Sequence, residues 1–213
     1  MQRSRRAAGA RRMRCTSGKG GTLNTLEAIA QRRSIRRFKN NPVPDEVLKK
    51  ILTAGTQAPS SKNRQPWRFV VVTGEKCAEM VQVLRDGIAR TKARGEDPGS
   101  AEWTADVMEQ APVTIFCFNP HGMRPWLAHS IEQNFQALVN TQSIGAAIQN
   151  MLLAAQDLGI GSLWICDVFE AYDELCQWLG EPGQMVAAVS LGYANESPSA
   201  RSRKPVSEVT RWL

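Results

Sequence analysis

Histidine, paired cysteine and tyrosine are all scarce in this chain, and each shortage closes a line of chemistry. The 213 residues hold two histidines, His121 and His129, and five cysteines with no C-x-x-C pair among them. No Cys/His spacing resembles a zinc site, so metal catalysis is not expected. No triad-like constellation offers a nucleophile either. The cysteines (15, 77, 117, 166, 176) are odd in number and spread through apolar segments. That pattern suits buried thiols in a reducing compartment and points to the cytoplasm. No apolar stretch approaches a membrane span, and the basic N-terminus lacks the continuous apolar core of a secretory signal. A G-x-G-x-x-G turn does not follow the first strand pattern, and there is no phosphate-binding P-loop, which disfavours a dinucleotide-binding Rossmann fold. Internal repeats are absent.

What is present begins with charge. The formal net charge is +7, with 27 basic residues against 20 acidic ones. Residues 1–22 carry Arg3, Arg5, Arg6, Arg11, Arg12, Arg14 and Lys19 and no acid. Without those seven the body balances at 20 against 20, so it has no net charge to recruit nucleic acid, nor a motif to place it in a groove. The basic stretch reads as a tail outside the fold: a disordered arm, an organelle-targeting segment, or translation from a start upstream of Met13. The folded domain is expected over 23–213.

Along that domain Asn24 or Thr25 caps a helix running to about Arg33. Asn40–Pro44 is a loop, and Asp45 and Glu46 open a second helix with Val47, Leu48, Ile51 and Leu52 on one face, ended by Gly55. Ala58–Pro66 is loop chemistry that empties into Trp67–Thr73, a run of β-branched and aromatic residues that reads as a buried strand. Residues 75–94 are helical, with Met80, Val81, Leu84 and Ile88 in register. Gly95–Ser100 breaks the pattern and a polar segment with Trp103 follows. Val113–Phe118 is the second strand and Asn119–Trp126 a loop, a candidate lid. His129–Leu158 is helical, with Ile131, Phe135 and Leu138 leading into Ile144–Ala155, which is apolar almost all round, as a core helix requires. Gly159-Ile-Gly161 turns into a third strand; a short helix at Tyr172–Leu179 and a fourth strand, Met185–Leu191, complete the body. The chain ends in Trp212-Leu213, which calls for a packing partner, possibly a second subunit.

One stretch stands out, Gln31-Arg-Arg-Ser-Ile-Arg-Arg-Phe38, with four arginines and a hydroxyl between apolar anchors. Guanidinium forks, a serine hydroxyl and backbone N–H groups make a receptor for a phosphate dianion, though taken alone the stretch is equally a solvated basic turn. It has companions: APSSKNRQPW before the first strand, QNMLLAAQDLGIGSLWI in the middle and LGYANESPSARSRKP near the end. In that order and spacing the four motifs resemble the nitroreductase family of flavin enzymes, over nearly all of 23–213.

The resemblance implies an α+β fold of three layers, a mostly antiparallel central sheet flanked by helices. It implies a homodimer with FMN bound non-covalently at the subunit interface. Arg32, Arg33 and Ser34 match the family's phosphate-binding turn, Arg36 reaches toward the flavin ring, and Arg201 and Arg203 complete the phosphate site. Pro59, Ser60, Ser61, Asn63 and Gln65 match a loop that reaches the flavin from the other subunit, where Gln65 can also brace the loop. Ile160, Gly161 and Ser162 match the turn whose backbone N–H groups face the ring, with small residues allowing close approach. Ser143 departs from the family, many members of which have Asp there; the position faces the core, so a packing change is expected.

The implied activity is hydride transfer from NADH or NADPH through FMN to a nitroaromatic, quinone or related small-molecule acceptor, in a ping-pong scheme. The cofactor carries the chemistry and the protein supplies orientation and field. Three alternatives are carried: reductive dehalogenation, oxygen-dependent fragmentation of FMN to dimethylbenzimidazole, and a flavin store or sensor without turnover. Dehalogenating relatives clamp substrate with a lid containing tyrosine, and here no tyrosine falls between residues 86 and 126. No partner among nucleic acids or membranes is expected.

Overall fold

A computed structural model describes residues 23–213; the basic tail assigned to 1–22 lies outside the described residues. The described residues form seven α-helices and one four-stranded sheet: α1 (Thr25–Gln31), α2 (Asp45–Thr56), β1 (Arg68–Thr73), α3 (Lys76–Ala93), α4 (Ala101–Gln110), β2 (Val113–Asn119), α5 (Ile131–Asp157), β3 (Gly161–Ile165), α6 (Tyr172–Leu179), β4 (Gln184–Gly192) and α7 (Val206–Val209). Strand order is β1-β2-β4-β3 and every neighbour is antiparallel. This is the α+β, three-layer arrangement the motifs imply.

Alternation along the central strands produces the three layers. Phe116 and Phe118 of β2 point into one core with Met80, Leu84 and Ile88 of α3 and Met108 of α4. Val113, Ile115 and Cys117 point the other way, into a core with Ile51 of α2 and Ile144, Ile148 and Met151 of α5. A side-chain period of two puts successive residues on opposite faces, so a strand covered on both faces must be apolar throughout. All seven residues of β2 are buried accordingly. Its two polar residues have partners: Thr114 meets Ser190 of β4, hydroxyl to hydroxyl at 3.1 Å, and Asn119 Nδ2 donates to Gln184 Oε1 at 3.2 Å.

Helix starts follow local sequence closely. Asn24 Oδ1 accepts the Glu27 N–H at 3.0 Å while Glu27 accepts the Asn24 N–H at 3.2 Å. Ser130 and Gln133 form the same reciprocal box at the head of α5. Such caps contribute about 1 kcal/mol each.

Four expectations need correction. The Trp67–Thr73 run does not form a buried strand: β1 is a sheet edge, mostly half-buried to exposed, with Val71 38% exposed. An apolar run reports that a strand pairs and packs, not whether both edges are covered. Gly55 does not end α2; it lies inside the helix, where a Cβ would stand 2.9 Å from Met151 Cγ, so it serves close α2–α5 packing. The segment around Trp103 is α4, whose Ala101, Thr104, Ala105 and Met108 are buried at helical spacing. Finally, Ile131, Phe135 and Leu138 lie in register on α5 but are exposed at 90%, 66% and 57%; only the later half of that helix enters the core.

Candidate functional site

The two basic stretches, more than 160 residues apart in sequence, meet beside the edge where β3 begins and β4 ends. Residues 34–38 lie alongside those strands, joined through isolated bridges Ser34↔Ser162 and Phe38↔Ala194. The Ile35 N–H donates to the Ser162 carbonyl at 3.0 Å, the Lys39 N–H to Tyr193 at 2.8 Å, and the Asn195 N–H to Arg37 at 2.9 Å. Ile35 and Phe38 are buried in the α3-side core, and this anchoring turns the arginines between and before them outward. Sequence alternation thus becomes geometry: apolar residues hold the stretch down, and cations are presented.

A cleft of about 650 Å³ results, lined by Arg32, Arg33, Ser34, Arg36, Arg201 and Arg203, with Ile29, Ala30 and Pro198–Ala200 as its apolar wall. Among the described residues no ion pair engages any of these five guanidiniums. Partial burial, then the positive charges of Arg203 and Arg33, hold the Arg32 guanidinium below its usual range. Like charges gathered without a counter-ion oppose folding, and an anion in their midst relieves that cost. Arg33 has a second task, since its Nη1 donates to the carbonyls of Ala30 (2.8 Å) and Arg32 (2.9 Å) and closes the end of α1. Arg203 Nη1 donates to the Ser202 carbonyl at 3.1 Å.

Two neighbours of the cleft are not among the expected site residues. The Arg36 guanidinium lies 5.6 Å from the ring centre of Trp103 on α4 and donates to the Ser34 carbonyl at 3.2 Å. Glu196 accepts the backbone N–H groups of both Arg36 and Arg37, tying the two basic arms together. Trp103 was hidden by the unrecognised helix; Glu196, the single acid in a basic arm, was legible as an oddity.

Ile160, Gly161 and Ser162 form the entry to β3 and are all buried. Space where a Gly161 Cβ would sit is taken by the protein itself, with Ile35 Cγ1 at 3.0 Å and the Gly192 carbonyl oxygen at 3.1 Å. The glycine therefore lets the arginine stretch approach the sheet. Ser143 faces the core as expected and donates to the Val139 carbonyl at 3.0 Å.

Pro59, Ser60, Ser61, Asn63 and Gln65 do not line the arginine cleft of their own chain. They form a tight loop with Lys62, Asn63 and Gln65 in the left-handed region, closed by the Gln65 N–H donating to Ser60 Oγ at 2.9 Å. Arg64 fastens it to Gln136 of α5. Three consecutive-range residues held at positive φ cost about 1–2 kcal/mol each, so this loop is over-determined by its surroundings.

Comparison with known proteins places the chain in a family. The family model for the nitroreductase family matches residues 29–193. The chain belongs to the nitroreductase family. A Methanothermobacter thermautotrophicus protein named "Putative NADH dehydrogenase/NAD(P)H nitroreductase" is 30% identical over 189 residues, 86% of this chain and 84% of its own. The NADPH-flavin oxidoreductase of Vibrio harveyi is 27% identical over 187 residues, 85% of this chain and 70% of its own. Among solved structures, a nitroreductase with bound FMN from Desulfitobacterium hafniense is 28% identical, with a TM-score of 0.68 over 91% of this chain and 100% of that one. As a nitroreductase-family protein this chain is an oxidoreductase. Arg201 and Arg203 lie beyond the matched segment, so the fold, not the family match, joins them to the first arm. Among the described residues no group of His, Cys, Asp or Glu could hold a metal ion, and no helix is long and apolar enough to cross a membrane.

Proposed function

We propose that the arginine cleft holds the phosphate of FMN and that the protein is an FMN-dependent NAD(P)H oxidoreductase. The observation that carries this is the convergence of Arg32, Arg33 and Arg203 in one cleft, where partial burial and then the charges of Arg203 and Arg33 hold the Arg32 guanidinium below its usual range. A phosphate monoester brings roughly two negative charges and acceptor oxygens that match several guanidinium forks. Ser34 adds a hydroxyl, and Arg201 a further cation. Each charge-assisted contact contributes about 1.5–3 kcal/mol, sufficient together for non-covalent retention. Bound FMN would supply two-electron chemistry between a reduced nicotinamide and an acceptor. The chain's own residues hold the phosphate end and shape the mouth, where Arg36 and Trp103 present a cation and an aromatic face. Nitroaromatic and quinone acceptors, planar and electron-poor, suit such a mouth, and sequential occupancy by nicotinamide and acceptor gives ping-pong kinetics.

The proposal includes a homodimer. A stripe of Ile131, Phe135 and Leu138 stands exposed on α5, with Leu26 and Ile29 on α1 and a C-terminus whose Trp212 is 87% exposed. Contiguous exposed apolar surface marks an interface. In such a dimer the strained Pro59–Gln65 loop of one subunit supplies the second wall of the other's site. The unpaired thiols fit a cytoplasmic protein.

The test is a spectrum of the purified protein followed by anaerobic addition of NADPH and of NADH. The expected result is flavin absorbance equimolar with chain, bleached by at least one nicotinamide. A colourless protein that takes up no added FMN overturns the reading. Bound FMN that neither nicotinamide bleaches makes the protein a flavin store or sensor.

A further inference from the structure

One acid sits where the electrostatics of the site argue against it. Glu196 is the only carboxylate between Tyr193 and Lys204, in an arm that otherwise presents cations to the cleft. A negative charge beside an anion receptor weakens anion binding by Coulomb's law. An acid kept there for its charge would pair with a guanidinium, yet among the described residues no ion pair joins Glu196 to an arginine.

Its carboxylate is spent on backbone instead. A single oxygen, Oε1, accepts the N–H of Arg36 and, at 3.2 Å, the N–H of Arg37. The flanking residues find carbonyl partners in the strands: Ile35 donates to Ser162 and Lys39 to Tyr193. Glu196 supplies the acceptor that the bridge pattern does not give to the half-buried Arg36 N–H, and takes the exposed Arg37 N–H on the same oxygen. Together with the Asn195 N–H donating to the Arg37 carbonyl at 2.9 Å, the contact closes a ring of hydrogen bonds between residues 36–37 and 195–196. Five residues beyond Glu196 the arm delivers Arg201, then Arg203, to the same cleft as Arg32.

We propose that Glu196 is the positioning residue of the anion site, clipping the N-terminal arginine stretch to the C-terminal arm through one carboxylate oxygen. Acceptor geometry, not negative charge, is what the site uses. The inference rests on the reading that this cleft takes the phosphate of FMN, and it predicts opposite behaviour for two substitutions. Glu196→Gln keeps an oxygen at the Oε1 position and removes the charge that opposes the phosphate. Glu196→Ala removes the acceptor altogether.

The experiment titrates FMN into flavin-stripped parent, E196Q and E196A proteins by quenching of flavin fluorescence, and follows hydrogen exchange of the Arg36 and Arg37 amides by NMR. For E196A the expected result is fast exchange at both amides and a rise in the FMN dissociation constant of about ten-fold, the worth of one lost charge-assisted contact. E196Q should keep both amides protected and bind FMN at least as tightly as the parent. Equal weakening of E196Q and E196A overturns the inference, because charge would then be the working feature. So does an E196A protein that keeps the parent's affinity. Should the parent itself not bind FMN, the cofactor reading falls separately, and the amides still decide the clip: protection that survives in E196A overturns it.

Discussion

Removing Arg203 should move stability and cofactor affinity in opposite directions. In the flavin-free protein Arg203 is one of the two charges that lower the Arg32 pKa, the other being Arg33, so Arg203→Ala relieves repulsion. Both side chains are partly solvated, and exposed charge pairs contribute within about 1 kcal/mol of either sign. For a chain of this size that translates into a melting temperature unchanged or raised by about 1–3 °C. With FMN bound the same side chain becomes an attractive contact, and its loss costs about 1.5–3 kcal/mol, a ten- to hundred-fold rise in dissociation constant. Arg203 is exposed and hydrogen-bonds to the carbonyls of Arg201 and Ser202, so its truncation removes no core residue. Thermal melts of the stripped protein and FMN titration of the same sample check both halves. An Arg203→Ala protein that holds FMN as tightly as the parent, or whose stripped form melts several degrees lower, refutes the reasoning.

Other outcomes follow from the packing. Gly87→Ala in α3 would put a Cβ 2.3 Å from Ala171 Cβ and 2.7 Å from its Cα, so the helix must shift; a loss of about 1–3 kcal/mol is expected, read as a lower urea midpoint at constant slope. Burial pushes the Tyr172 hydroxyl up to about 12 from 10.0. The folded state therefore favours the neutral phenol: its contribution is intact below pH 10.0 and is lost as pH rises toward about 12. Tyr172→Phe, which also forfeits the acceptor for the Met185 N–H at 2.7 Å, should be less stable at neutral pH and show a shallower alkaline decline. Phe135→Asp, at the centre of the exposed α5 stripe, should shift sedimentation from dimer toward monomer; unchanged sedimentation of a dimeric parent would remove the stripe from the interface.

What could be read directly was what short-range physics fixes. Asn24 with Glu27 and Ser130 with Gln133 announce helix starts because a cap needs only residues three apart. The run from Ile144 to Ala155, apolar almost all round, announces a core helix because so much apolar surface needs burial. The arginine stretch was visible as a possible phosphate receptor from residue type, while the later basic arm took on that role only through the resemblance of four motifs in order.

Their meeting in one cleft was decided only by the fold. It depends on β3 beginning beside the end of β4, on Gly161 leaving room for Ile35, and on Glu196 catching two backbone N–H groups at a sequence distance no local pattern reports. The edge position of β1, the packing role of Gly55 and the stacking of Arg36 on Trp103 are of the same kind. Each is a relation between distant segments, and its energy comes from burial and hydrogen bonding that exist only once those segments are in contact. The sequence by itself determined which side chains could bind an anion; tertiary structure decided which of them face the same one, because repulsion among like charges is overcome only where packing elsewhere holds them together.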